Sequence, residues 1–164
     1  MEARTKPYAI KTLVDLREAN ESDIAAISKI CHLNQATREY WRYILYSYLQ
    51  NSFNPHHALP DRIIYVATIE KSAVGFIAGH LTSRNNYPGQ IQWIAVMRDF
   101  QRLGIGSELL WMVARWFIEK DTWCVRAEVE RWQADLVNFY TDQKAERINS
   151  RGLCWSDIRT IMRN

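Results

Sequence analysis

Apolar and polar residues follow two alternating periods along this chain, and the points where the period switches divide it into eleven segments. Lys11 to Arg17 reads as a first strand, with Leu13 alternating against Val14 and Leu16. The period then becomes helical. Ile24, Ile27, Ile30 and Cys31 recur at three- and four-residue spacing behind a cap at Asn20 or Ser22. A second helix, capped by Thr37, carries Trp41, Ile44, Leu45, Tyr48 and Leu49 on one stripe. Asn51 to Pro60 has two prolines and little periodicity, so it reads as a loop. Ile63 to Ile69 and Ala73 to Leu81 form a hairpin around Glu70-Lys71-Ser72, and Gln90 to Val96 is a third strand of the same block.

A long helix is predicted from about Gly104 to Lys120. Ile105, Leu109, Leu110, Val113, Trp116 and Phe117 share its apolar stripe, while Glu108, Arg115, Glu119 and Trp111 fall on the other side. Trp123 to Val129 is a strand. Residues 132 to 142 form a helix with Leu136, Phe139 and Tyr140 inward. Ala145 to Ser150 and Leu153 to Met162 close the chain as a hairpin around Arg151-Gly152. No repeat, low-complexity segment or linker interrupts this order, so residues 1–164 are expected to form one domain.

Composition narrows the function classes. Of 164 residues, 48% are hydrophobic and 24% charged, a globular balance. No apolar run approaches the roughly 18 residues of a membrane span, and no secretory h-region opens the chain. A net charge of +3, with scattered lysines and arginines, gives no footprint for nucleic acid. Cys31, Cys124 and Cys154 lack metal-ligand spacing and are expected to be free thiols in a reducing cytoplasm, with no metal site.

The strongest chemical signal lies where the strand ending Ala95-Val96 gives way to the long helix. Met97-Arg98-Asp99-Phe100-Gln101-Arg102-Leu103-Gly104-Ile105-Gly106-Ser107 sets two glycines at a helix start. Bare backbone N–H groups at the positive end of a helix dipole favour a phosphate. A P-loop needs four residues between its glycines, and here there is one. A dinucleotide fingerprint needs a third glycine where Leu109 stands. Both fail, leaving an unassigned phosphate binder or a glycine-rich helix start with no ligand.

The Gln-Arg-x-Gly-x-Gly pattern resembles the pyrophosphate loop of the GNAT superfamily of acyl-CoA-dependent N-acetyltransferases. The order of elements resembles that family over almost the whole chain, as do Val74-Gly75-Phe76-Ile77, Glu128-Val129 and Asn138-Phe139-Tyr140. The resemblance implies an α/β (α+β) fold with a mostly antiparallel central sheet of six to seven strands flanked by four helices. It implies acetyl-CoA as cosubstrate, with its pantetheine arm along Ile94, Ala95 and Val96. Its pyrophosphate would lie on the amides of Arg102, Leu103, Gly104, Ile105, Gly106 and Ser107, bordered by Gln101, and Asn138 would bond to the cofactor.

The same resemblance implies acyl transfer to a primary amine, small-molecule or protein, by direct attack through a tetrahedral intermediate. A lysine-like amine has a pKa near about 10.4, so a base must take its proton. Tyr140 is the candidate acid for the departing thiolate, and Glu128 or Glu130 the candidate base. His56, His57 and His80 are further candidates. The chain departs from the family at Gln90-Ile91-Gln92, which lacks a strand carboxylate, at Trp132-Gln133, and at Gln143-Lys144-Ala145, where the family commonly has Gly-Phe. A non-catalytic acyl-CoA-binding module therefore stands beside the enzyme reading, and a nucleotide binder beside both. Tyr43 and Tyr46, off the stripe of the second helix, suit either an acceptor pocket or a homodimer contact.

Overall fold

The structure, a computed structural model, describes residues 13–31 and 37–163. Seven strands make one sheet among the described residues: β1 (Val14–Glu18), β2 (Ala58–Ile69), β3 (Ser72–Thr82), β4 (Gly89–Val96), β5 (Val125–Glu128), β6 (Glu146–Asn149) and β7 (Gly152–Trp155). Their spatial order is β1-β2-β3-β4-β5-β7-β6. Every pairing is antiparallel except β4 with β5. Four α-helices flank the sheet: α1 (Ile24–Ile30), α2 (Arg38–Leu49), α3 (Ile105–Glu119) and α4 (Ala134–Asp142). The α/β fold implied by the sequence is the fold observed.

Local chemistry explains most boundaries. Asn20 caps the turn that opens α1: its side chain accepts from the Ser22 N–H, and Asp23 reaches back to the Asn20 N–H at 2.9 Å. Asp23 also takes two 2.8 Å bonds from Arg17, which hold its carboxyl below the usual range. Thr37 Oγ1 accepts from the Tyr40 N–H and starts α2. Glu70 and Lys71 both adopt left-handed φ values, 49° and 67°, so the β2–β3 turn has primed geometry without a glycine.

The two sheet faces hold separate cores. On one face, Leu109, Leu110, Val113 and Phe117 of α3 pack with Ile77, Ile91, Val125, Ala127, Tyr140 and Trp155. Glycines let α3 settle close: a Cβ on Gly79 would lie 3.1 Å from the Phe117 ring, and one on Gly89 only 2.9 Å away. On the other face, α1 and α2 bury Ile27, Leu45 and Tyr48 against Ile64, Val66, Phe76 and Ala78. Trp93 joins that cluster, edge-on to Trp41 at 5.6 Å and to Tyr48 at 5.1 Å.

Several expected boundaries shift. The first strand begins at Val14, while Lys11 and Thr12 lie outside the described residues. β2 starts at Ala58, inside the stretch expected to be a loop. Pro60 is tolerated because β1 pairs only with Tyr65 to Ile69, which leaves the first half of β2 an edge. Arg62 ties this irregular start down. Its guanidinium donates to the carbonyls of Tyr48, Phe53, Leu59 and Pro60 and to Asn54 Oδ1, and lies 4.8 Å from the Tyr48 ring centre. Trp123 precedes β5 rather than joining it. The closing strand ends at Trp155, and Ile158–Arg163 is a 3-10 helix that buries Ile158 and Ile161 under α3.

Candidate functional site

β4 and β5 pair over three residues only: Gly89 with Val125, Gln90 with Arg126, and Ile91 with Ala127. Beyond them the strands part. The break coincides with a bulge in β4, where Gly79 faces Ile91 and Ala78 faces Trp93, so that Gln92 is the extra residue. The Met97 N–H bonds to the Val74 carbonyl at 2.8 Å. Two-residue alternation then turns the Ala95 amide toward β3, and those of Ile94 and Val96 toward the gap. Of the three residues expected to line the pantetheine path, the backbone of Ile94 and Val96 faces it and that of Ala95 belongs to the ladder.

The gap opens into a cleft of about 150 Å³ lined by Trp41, Gln92, Trp93, Ile94, Glu128, Val129, Glu130, Gln133, Leu136 and Tyr140. Tyr140 is 2% exposed, edge-on to Trp155 at 5.3 Å. Burial pushes its phenol above the ordinary value, so it stays protonated across the working pH range. Glu128 sits at the end of β5 with Arg126 3.1 Å away, and Glu130 pairs with Arg151 at 2.7 Å rather than with Arg131. The Gln133 side chain accepts from the Glu130 N–H at 2.7 Å and fixes the turn before α4. Gln92 and Gln133, which the sequence marked only as departures from the family and not as site residues, are thus part of the cleft. Their signal was a polar residue inside an apolar strand and an unusual helix start.

The glycine turn adjoins this gap. Gly104 has φ 86°, a left-handed value that glycine adopts at little cost, and Arg102 has φ 61°. Glu108 N–H makes the first bond back to the Gly104 carbonyl, at 3.1 Å. Among the described residues no side chain caps this fifteen-residue helix. The amides of Ile105, Gly106 and Ser107 therefore begin α3 without an intrahelical acceptor. Ile105 is buried and anchors the turn, Leu103 is half-buried, and Arg102 is exposed. The Gln101 side chain donates to the Val96 carbonyl at 2.9 Å, so it closes the loop. The Gln143 side chain donates to Ser107 Oγ at 2.9 Å and leaves that hydroxyl's proton for another acceptor. Asn138 stands exposed on α4. Its neighbour Phe139 packs 3.4 Å from where a Gly106 Cβ would be.

The departure at Gln143-Lys144-Ala145 is absorbed by the backbone. Lys144 takes φ 72°, the left-handed turn that a glycine would make, and Ala145 is buried. His80, a further candidate from sequence, is fully buried on the α2 face. Its Nδ1 lies 2.9 Å from the Tyr48 hydroxyl, and burial with the Arg62 charge draws its pKa down to about 4. Tyr43 and Tyr46 line a different cavity of about 360 Å³ between α1 and α2, which shares no residue with the cleft. Among the described residues no group of three or more His, Cys, Asp or Glu is placed to hold a metal, and no helix is long and apolar enough to cross a membrane.

The gap between two parallel strands and the start of α3 thus lie side by side. The model of the acetyltransferase (GNAT) family matches residues 28–144. That is more than half of the chain, and the chain belongs to this family. Solved structures share the fold. Ard1 from Thermoplasma volcanium superposes with a TM-score of 0.67 at 22% identity, over 87% of this chain and 95% of that one. The PaiA N-acetyltransferase from Thermoplasma acidophilum, in complex with coenzyme A, gives 0.64 at 14% identity, over 86% and 96%. The ribosomal-protein-S18-alanine N-acetyltransferase from Escherichia coli gives 0.62 at 14%, over 86% and 90%. No curated protein matches the sequence significantly.

Proposed function

We propose that this protein transfers an acetyl group from acetyl-CoA to a primary amine. The observation that carries the reading is the continuity of two features: the amide-lined turn at Arg102–Ser107 and the strand gap at Ile94–Val96, which opens on the cleft holding Tyr140, Glu128 and Glu130. Family membership and the coenzyme A named for the PaiA structure support it.

Each residue has a distinct task. The turn amides hold the pyrophosphate through hydrogen bonds and the helix dipole. The Ile94 and Val96 backbone extends the sheet onto the pantetheine amides, and the Val96 N–H is placed to donate to the thioester oxygen as negative charge grows there. Glu128 takes the amine proton, directly or through water, from the solvent-facing end of β5. Tyr140 also lines the cleft and is the candidate partner of the leaving sulfur. With its pKa raised above that of a thiol, it serves as a hydrogen-bond donor to the departing thiolate. None of the three cysteines lines the cleft, and burial holds each thiol above its ordinary pKa. Direct transfer to the amine therefore fits better than an acyl-cysteine route.

Two measurements test the proposal. Acetyl-CoA at about 100 times its dissociation constant should stabilise the fold by about 2.7 kcal/mol. ATP and NAD at equal concentration should do less, and equal protection by ATP would favour a nucleotide site. Thiol release with a panel of amines separates an enzyme from a binding module. Coenzyme binding without release across a broad panel would sink the catalytic assignment.

A further inference from the structure

The lining of the cleft divides into a ring-bearing part and an acidic part. Trp41 and Tyr140 are buried in it, at 6% and 2% exposed. Trp93 is half-buried, and its indole is clamped by three rings. It stands edge-on to Trp41 at 5.6 Å and to Tyr48 at 5.1 Å, and it stacks on Phe53 at 6.4 Å with 12° between the planes. An indole held in this way keeps one orientation and makes a fixed wall. The two charged members of the lining, Glu128 and Glu130, have side chains 55% and 38% exposed. Glu128 Oε1 accepts from Arg126 at 3.1 Å, and Glu130 Oε1 from Arg151 at 2.7 Å. The Oε2 atom of each has no partner among the described residues. Among those residues, no lysine, arginine or histidine lines the cleft.

Charge and size together select a ligand. An unspent carboxylate oxygen accepts from an ammonium, and the face of a ring attracts the same cation. A carboxylate on the ligand would meet two like charges and no cation to pair with, because the arginines beside Glu128 and Glu130 are already engaged by them. The cleft measures about 150 Å³, the volume that a single benzene-sized ring fills. A ring set against ring walls also gains more than the burial of its area alone.

We propose that the acceptor is a primary amine joined by a short alkyl chain to a single aromatic ring, with no carboxylate beside its nitrogen. The ring rests on the Trp93 wall, and the ammonium is drawn to the unspent oxygens of Glu128 and Glu130. This names the substrate class of the cleft and rests on the acyltransferase reading, which takes the cleft as the place of the amine.

The test is calorimetric binding to the CoA-loaded protein with four probes. They are 2-phenylethylamine, phenylalanine, phenylalaninol (a hydroxymethyl group in place of the carboxylate) and butylamine. 2-Phenylethylamine is expected to bind about tenfold more tightly than phenylalanine, with phenylalaninol within about threefold of it, so that charge and not bulk sets the difference. Butylamine, which has the amine and no ring, should bind about fivefold more weakly than 2-phenylethylamine. Trp93→Leu should bring butylamine and 2-phenylethylamine within about twofold of each other. The wild-type ratios stand whether or not that variant folds. Phenylalanine or butylamine bound as tightly as 2-phenylethylamine, or no binding of 2-phenylethylamine at millimolar concentration, would overturn the proposal. Thiol release with acetyl-CoA and the same probes keeps the two readings apart. The expected ratios without release refute acyl transfer and leave the selectivity of the cleft standing, whereas equal release from all four probes refutes the substrate class alone.

Discussion

On the α3 side of the sheet, Phe117, Val113 and Leu109 rest directly on the glycines of β3 and β4, and apolar contact runs unbroken from Ile63 to Trp155. On the other side, α1 and α2 stop short. Below them the core contains a histidine, with the half-buried Arg62 over the Tyr48 ring at its edge, and beyond them the sheet carries Gln90 and Arg126. The first face contributes burial, which is worth most where it is complete. The second gives up part of that burial and holds the groups a substrate would meet. One sheet thus divides stability and chemistry between its faces, and the seam between them is the three-residue pairing of β4 with β5.

The comparison can be broken or sharpened by substitution. The largest effect is expected on the closed face. Phe117→Ala leaves a hole between α3 and two glycines that cannot fill it, and should cost about 3–5 kcal/mol in denaturant unfolding. A loss below about 1 kcal/mol would mean that α3 is not what holds the sheet. Next comes the pH response of the open face. Above its ordinary pKa of 6.5, His80 is neutral in both the folded and unfolded chain. Between 6.5 and about 4 only the unfolded chain takes up the proton, so stability falls as the pH drops through that window. The full difference is roughly 3 kcal/mol. The wild type should lose that much more than His80→Phe between pH 7 and pH 4, and parallel curves would show that His80 is not desolvated.

Gly104→Asp should weaken coenzyme A binding by about 100-fold in calorimetry while the unfolding midpoint moves little. A carboxylate there opposes the pyrophosphate, and aspartate tolerates the left-handed backbone better than most residues. Unchanged affinity would place the coenzyme elsewhere. The smallest effect is expected for Tyr140→Phe, about tenfold in kcat with the affinity for coenzyme A retained. Its hydroxyl holds no partner among the described residues, so stability should change by less than about 0.5 kcal/mol. A large loss of stability would turn Tyr140 into a packing residue.

Features set by local chemistry were legible in the chain. The stripes of α1, α2 and α3, the caps at Asn20 and Thr37 and the two glycines at the α3 start all depend on residues within one or two turns of each other. Features set by distant partners were not. The Gln92 bulge depends on the register of β3 against β4, and the contact of Arg126 with the Tyr87 ring joins β5 to the loop after β3. Pro60 read as a breaker because sequence does not show which half of a strand is an edge. The end of the closing hairpin was misread although its signal was present: Ile158 and Ile161, three apart, have the period of a 3-10 turn. Glu128 was legible as a strand-end carboxylate, but its tie to Arg126 and its place on the cleft needed the sheet.

The Arg62 side chain carries a consequence beyond its own contacts. The segment from Phe53 to Pro60 hangs on a single planar cation that reaches five oxygens from both ends of the segment and from the last turn of α2. A lysine would keep the charge and lose the fan of bonds. His56 and His57 lie in the middle of that span, where the Ser83 N–H also holds the His57 carbonyl at 2.9 Å. The backbone of this stretch is thereby set in part by a side chain outside it, and a change at Arg62 would be felt there without altering any residue of the stretch itself.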